Sequence, residues 1–557
     1  MYIIQNLHWF ALFIGALVFV HELGHFLVAK ACRVKVLRFS IGFGPKLFGF
    51  TRGETEYWVS ALPLGGYVKM LGEVPGATIP PEDAARAFSN RPVWQRGLVA
   101  LAGPTFNFVL ALVIYFAIGL GTHTFRDTRL GIVSVGDPAW EAGLRPGDKI
   151  VAIDEVPVDE WGDLREMIST RPGETLAVAF ERAGERQVVD IVPIPHNEAN
   201  LFREIETRGR VGISPNFVKP ILGIVDALSP AAIAGVKTGD VIERVNGERV
   251  TAWHEVRTAA ARTAKESPLR IAIVRGEEKL EIEIVPTAFP PGLDVDLFSA
   301  ADAPGGYTGL VTKESLVVKL EPETPAAGIG LEIGDRLVRL EIEKDGTYVV
   351  RPIGVWSIDL AAFQGVDATS NFTLAYQRGA EIFSKPLKLI EREEKDEFKN
   401  VYKRHVFGAF NDVQTLDTYT YERDVGAAEA FVVALGQVGL AATLIGKGLA
   451  KIARGDIPFD SVGGPIMLFV LAERSAKRGI EDFLAMLALI SVNLGLLNLL
   501  PIPILDGGHL LLFAVEAIRR RPPSLRFREV ANIVGMTLLL LLMVLVFRND
   551  IMRFVLG

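Results

Sequence analysis

Four stretches of the chain are apolar for long enough to cross a bilayer: roughly Trp9–Ala31, Leu98–Gly121, Phe483–Leu500 and Ile533–Phe547. A helix needs about 20 such residues to span a hydrocarbon core of about 30 Å. A fifth stretch, "AFVVALGQVGLAATLIG" from Ala430 to Gly446, is a rival that periodicity alone does not exclude. Crossing there would reverse the orientation of everything downstream, so a helix on the membrane surface or against the outer domain is expected. Between the second and third spans the pattern changes to short alternating runs broken by Gly, Pro and Asp, which is strand-and-turn chemistry. It also repeats: "DPAWEAGLRPGDKIVAID" from Asp137, "SPAAIAGVKTGDVIERVN" from Ser229 and "TPAAGIGLEIGDRLVRLE" from Thr324. The interval from Pro to the Gly-Asp pair is the same in all three, as between Pro138 and Gly147.

The repeat resembles PDZ domains of the bacterial protease type, which implies α+β modules at 127–197, 209–290 and 305–392. A PDZ groove takes an extended peptide as an added strand and holds its terminal carboxylate on backbone N–H groups of a glycine-containing loop. Gly131 and Gly223, each seven residues before its copy's proline, are the expected ligand-loop glycines. Val318 stands at that point in the third copy, where a Cβ hinders close approach. The first two copies are therefore expected to bind chain ends and the third to be mainly structural.

Charge orients the spans. No Lys or Arg precedes the first, whereas Lys30, Arg33, Lys35, Arg38, Lys46, Arg91 and Arg96 follow it, and Arg519, Arg520, Arg521, Arg526 and Arg528 separate the third from the fourth. Both connections are then cytoplasmic, and the N-terminus and the repeats face outward. The first span lacks the basic lead of a signal peptide and carries the His21, Glu22 and His25 cluster, so it reads as permanent. The fold class expected is a polytopic α-helical membrane protein with four transmembrane helices, a membrane-associated β-hairpin and inserted α+β PDZ domains. Its segments are 1–32, 33–97 (cytoplasmic loop and hairpin), 98–121, the three modules, a periplasmic or interfacial helical segment at 424–480, 483–510 and 533–550. The 557 residues carry 59 Lys and Arg against 66 Asp and Glu, a net charge of −7 that gives no sign of nucleic-acid binding. With one cysteine, Cys32, there is neither an intrachain disulfide nor a cysteine metal site.

The chemistry sits where charge is most costly. The first span reads "FVHELGHFLVAK", and an ionisable group at bilayer depth costs about 2.5–3.5 kcal/mol. His21 and His25 are four apart, on one helical face, a spacing that suits two imidazole ligands of one zinc ion. Glu22 lies beside them as a general base that need not bind the metal. A third ligand is expected near "NLLPIPILDGGHLLLF": Asp506 matches the histidines in depth, and His509 competes with it. Pro501 and Pro503 break the helix there, and Gly507 and Gly508 let the backbone turn closely.

HELGH, "NLLPIPILDGG" and the inserted PDZ-like repeats together resemble the site-2 protease family of intramembrane zinc metalloproteases, in particular its RseP type in Gram-negative bacteria. "IGFGPKLF", "PLGGYVKMLGE", "AGPTFNF" and "SVGGPI" extend the likeness over nearly the whole chain. The resemblance implies that His21, His25 and Asp506 bind Zn2+, that Glu22 is catalytic, and that Asn493 and Asn498 hold substrate. It also implies that a membrane-associated hairpin from about Ile41 to Leu71, with Gly65, Gly66 and Tyr67 in its "LPLGGY" turn, pairs with extended substrate. Expected partners are the lipid bilayer and transmembrane substrates, namely anti-sigma factors already trimmed outside and signal-peptide remnants. The expected location is the bacterial inner membrane, with the PDZ domains periplasmic and gating substrates by size. The third copy departs from the family's usual two. A membrane-anchored PDZ scaffold with an inactive site and a metal transporter are the rival readings.

Overall fold

A computed structural model describes residues 2–74, 78–200, 204–263, 267–289, 306–344, 347–353, 356, 371–395, 401–416 and 419–556. The chain forms two units, one from Met1–His123 and Asp424–Gly557, the other from Thr124–Asp396 and Val401–Arg423.

The first unit is a helix bundle with a β-hairpin. Its helices are α1 (Tyr2–Ala31), α2 (Val93–Gly119), α3 (Ala427–Arg454), α4 (Pro465–Arg478), α5 (Ile480–Asn498), α6 (Asp506–Arg519) and α7 (Leu525–Ile551). Five of them, α1, α2, α3, α5 and α7, are long and apolar enough to cross a membrane. With their outward faces unburied, this is an integral membrane protein of the polytopic helical kind. Trp9 and Phe13 of α1 meet Phe483 at the start of α5, with ring centroids 5.5 and 5.6 Å apart, so these two helices run parallel. α2 runs against them. The Ser491 hydroxyl donates to the Asn107 carbonyl at 2.8 Å, fastening α5 to the middle of α2.

The "SVGGPI" stretch is a helix start. Pro465 takes the first position of α4, where its missing N–H costs nothing. The buried Asp550 carboxylate, from the end of α7, accepts from the N–H groups of Gly464, Ile466 and Met467 at 2.9, 2.8 and 3.2 Å. The Asn549 amide donates to the Phe459 carbonyl at 2.9 Å, so the 459–467 segment is locked to the end of α7.

The hairpin consists of β1 (Val36–Arg52) and β2 (Thr55–Met70). It is folded on itself: Ser40 pairs with both Trp58 and Tyr67, so 66–70 forms an outer strand beside 36–41. Phe43, Leu47, Phe48 and Phe50 are exposed along β1.

In the second unit the three repeats build the same module. Each has a four-stranded antiparallel sheet: 156–157, 149–153, 176–182, 185–191 in the first, 248–249, 241–245, 269–275, 278–284 in the second, and 347–352, 336–344, 371–378, 381–387 in the third. The Gly-Asp signature has a physical cause. Asp148, Asp240 and Asp335 are buried, and each carboxylate is held by an arginine from the third strand, Arg182, Arg275 and Arg378, at 2.7 Å. The same guanidinium donates to the carbonyl of Gly143, Gly235 or Gly330 at 2.7 Å, closing the turn after the short helix.

Two expectations change here. Each module is closed by a strand from beyond its expected end: Ile132–Val133 pairs with Ile213–Ser214, Leu222–Gly223 with Val311–Thr312, and Lys319–Leu320 with Ala409–Phe410. The modules therefore run to about 214, 312 and 410, and the expected limits at 290 and 305 lie outside the described residues. The same pairing means that Gly131 and Gly223, the expected ligand-loop glycines, do not stand in an open loop. Both are buried inside these ladders; the Gly131 N–H already donates to the Ser214 carbonyl at 2.8 Å, as the Val318 N–H does to Phe410 at 2.9 Å. A Cβ on Gly131 would come within 2.2 Å of the Asn216 carbonyl oxygen. Each closing segment also carries a glycine in left-handed backbone, Gly212, Gly309 and Gly408, with φ of 78°, 76° and 89°.

Candidate active site

The two histidines are where a regular α1 must put them, one turn apart on one face. Asp506 reaches them because the chain stops α5 at Asn498, doubles back through "LLPIPIL", and restarts as α6 at Asp506 itself. The doubling back is tight. A Cβ on Gly507 would come within 2.3 Å of the Leu499 and Leu500 carbonyl oxygens, and one on Gly508 within 2.3 Å of that of Ile502. Ile504 carries φ of 114°, which a β-branched residue adopts only under constraint, at about 1–3 kcal/mol. Strain two residues from Asp506 is stored where the carboxylate must be aimed.

The result is a cluster of three ligand atoms. His21 Nε2 lies 3.2 Å from Asp506 Oδ2, His25 Nε2 3.4 Å from Asp506 Oδ1, and the two Nε2 atoms are 3.2 Å apart. Among the described residues it is the one group of three or more His, Cys, Asp or Glu side chains close enough to hold a metal ion. Two imidazoles and a carboxylate, leaving the fourth position of a tetrahedron open, are a donor set for catalytic zinc. The His25 Nδ1–H donates to the Val99 carbonyl at 2.7 Å, which keeps the lone pair of Nε2 pointed into the cluster. His509 is outside it: it lies in the first turn of α6 with its ring toward Phe513, centroids 6.4 Å apart. Geometry thus brings Asp506, and not His509, together with the two histidines.

Glu22 is half-buried beside the cluster, and its carboxylate has no hydrogen-bond partner among the described residues. The outer hairpin strand runs directly past it. A Cβ on Gly66 would come within 2.9 Å of the Glu22 side chain and of Val18, and within 2.8 Å of the Ser40 carbonyl oxygen. Gly65 is crowded in the same way by the Phe43 ring, which stacks on Tyr67 with centroids 6.2 Å apart. Gly66→Val is expected to push this strand off α1. Cleavage should fall by about 100-fold, the cost of a misplacement near 1 Å, while bound zinc, measured on the same sample, stays at the wild-type level. Asn493 and Asn498 are half-buried on α5, and neither amide makes a hydrogen bond among the described residues. Sequence reasoning missed the wall behind the histidines, formed by Val99, Gly103 and Asn107 of α2. Its signal was the "AGPTFNF" stretch, whose small and amide residues are out of place in an apolar span.

Two histidines and an aspartate placed to hold a metal ion, beside a glutamate and inside an apolar helix bundle, are the side chains an intramembrane metallopeptidase needs. The sequence profile of peptidase family M50 matches residues 9–542, and the chain belongs to that family. It is a zinc metalloprotease of the site-2 type. It is similar, at 29% identity over 558 residues and 99% of each chain, to the regulator of sigma-E protease RseP of Salmonella typhimurium (strain 14028s / SGSC 2262). It is 28% identical to RseP of Escherichia coli (strain K12), over 98% of each chain, and 28% identical to a putative zinc metalloprotease of Vibrio cholerae serotype O1, over 99% of each chain.

Proposed function

We propose that this protease hydrolyses a peptide bond within the transmembrane segment of its substrate, at the cluster of His21, His25 and Asp506, with Glu22 as general base and acid. The convergence of those three side chains next to an unpaired glutamate, inside an apolar bundle, carries the reading. Zinc held by His21, His25 and Asp506 supplies Lewis acidity toward water and the scissile carbonyl. Glu22 takes a proton from the attacking water on its carboxylate oxygen and returns it to the leaving amide nitrogen. A helical substrate hides its carbonyls, so it must be extended first; addition to the 66–70 strand, through Gly65, Gly66 and Tyr67, holds it open beside Glu22. The free amides of Asn493 and Asn498 supply further backbone contacts.

The membrane arrangement has four spans, α1, α2, α5 and α7, in a bacterial inner membrane. α3 starts beside the end of α2, with Ala430 3.8 Å from the Cβ position of Gly119. It ends five residues before Phe459, which is bound to the end of α7. Five extended residues reach about 18 Å, too little to return across a core of about 30 Å. This supports a helix lying along the outer half of the bundle, as the charge pattern implied. The three modules, read as PDZ domains, then stand on the periplasmic side. The names of the relatives point to sigma-E regulation, so the substrates proposed are anti-sigma factors already trimmed outside, together with signal-peptide remnants, and the modules exclude bulky ectodomains. Removing the first two modules, 127–312, tests the filter: untrimmed substrates should become cleavable while trimmed ones are cut as before. Continued resistance of untrimmed substrates refutes it.

A further inference from the structure

α1 and α2 run antiparallel, and the positions of α2 that back the metal cluster recur every four residues: Val99, Gly103 and Asn107. They match His25 and His21, also four apart. Gly103 leaves the room, since a Cβ there would come within 2.3 Å of His25 Nε2 and 2.8 Å of His21 Cε1. The two histidines are then fixed from behind in different ways. His25 gives its Nδ1–H to a main-chain carbonyl, that of Val99, at 2.7 Å. His21 has only a side chain behind it: its Nδ1 stands 3.0 Å from the amide nitrogen of Asn107.

Asn107 is fully buried, and its amide oxygen has no hydrogen-bond partner among the described residues. Its main chain is pinned by the Ser491 hydroxyl, so the side chain has little freedom except rotation about its own amide. A neutral imidazole carries one N–H. If Nδ1 of His21 accepts from the amide nitrogen, the proton is on Nε2, and that nitrogen has no lone pair for a metal. If the amide is turned through a half rotation, its orphaned oxygen accepts from Nδ1–H and Nε2 is free to ligate.

We propose that Asn107 is the positioning residue of His21: its side-chain carbonyl accepts the His21 Nδ1–H, selects the tautomer that ligates through Nε2, and fixes the ring plane. Metal uptake is then coupled to the amide rotation. The inference rests on the zinc site described above and adds to it a residue whose role is to prepare one ligand. It also assigns a task to the "TFNF" end of the motif in α2.

The test uses the full-length protein in detergent, stripped of metal and titrated with zinc against a chromophoric chelator, and with Co2+ for its visible absorption. Asn107→Leu keeps the volume and removes the acceptor; Asn107→Ala is the second variant without an acceptor; Asn107→Asp restores an acceptor. Thermal unfolding of the metal-free samples identifies variants that fold. The expected result is zinc affinity lowered about 10–100-fold in Asn107→Leu or Asn107→Ala. Their Co2+ spectrum should change, and Asn107→Asp should bring both properties back toward wild type. Zinc affinity within twofold of wild type in a folded acceptor-free variant overturns the proposal. So does an equal loss in Asn107→Asp, which would show that packing rather than the carbonyl matters. Wild-type protein that takes up no zinc refutes the metal centre itself and this inference with it.

Discussion

Glu22→Gln is expected to end peptide-bond hydrolysis and leave zinc bound. Positioned acid–base groups contribute about 10²–10⁴-fold to rate, and the Glu22 carboxylate makes no hydrogen bond among the described residues. The neutral amide is the same size, so the packing of Gly66 and Val18 around the side chain is kept. His21, His25 and Asp506 are untouched, so metal content measured by mass spectrometry stays at the wild-type level. Cleavage by Glu22→Gln at an undiminished rate would remove the glutamate from the mechanism.

Asp506→Ala is expected to fail one step earlier, at metal retention. Without the carboxylate, two imidazole nitrogens face each other across 3.2 Å, and two ligands from one helix do not make a catalytic zinc site. Zinc affinity should fall by more than the about 10–100-fold that follows loss of an outer partner. His509→Ala is the control. Its ring stands away from the cluster, so it should keep zinc. The reverse pattern, zinc kept by Asp506→Ala and lost by His509→Ala, would replace one ligand by the other and contradict the geometry described above.

What was legible in the sequence is what local geometry determines. A four-residue spacing on a helix places His21 and His25 together whatever surrounds them, and prolines with paired glycines around Asp506 announce a reversal. The threefold repeat was legible because each Gly-Asp pair builds the same buried carboxylate, clamped by an arginine 34, 35 or 43 residues away. What escaped depends on partners that no local pattern names. Val99 and Asn107 meet the histidines across 74 and 86 residues, and Ser491 meets Asn107 across 384. The closing strands of the modules escaped for a related reason: two-residue ladders such as Ile213–Ser214 are too short to show a period, so Gly131 and Gly223 read as an open edge.

Hydrolysis is proposed to occur inside the membrane segment, beside Glu22 and the three metal-ligating side chains. The direct measurement reconstitutes wild-type protein and Glu22→Gln in lipid vesicles with a single-span substrate lacking its outer domain, and locates the new termini by mass spectrometry. One cut within the apolar segment is expected, made by wild type, absent with Glu22→Gln and abolished by a zinc chelator. A cut outside that segment, or one that persists with Glu22→Gln, would contradict it.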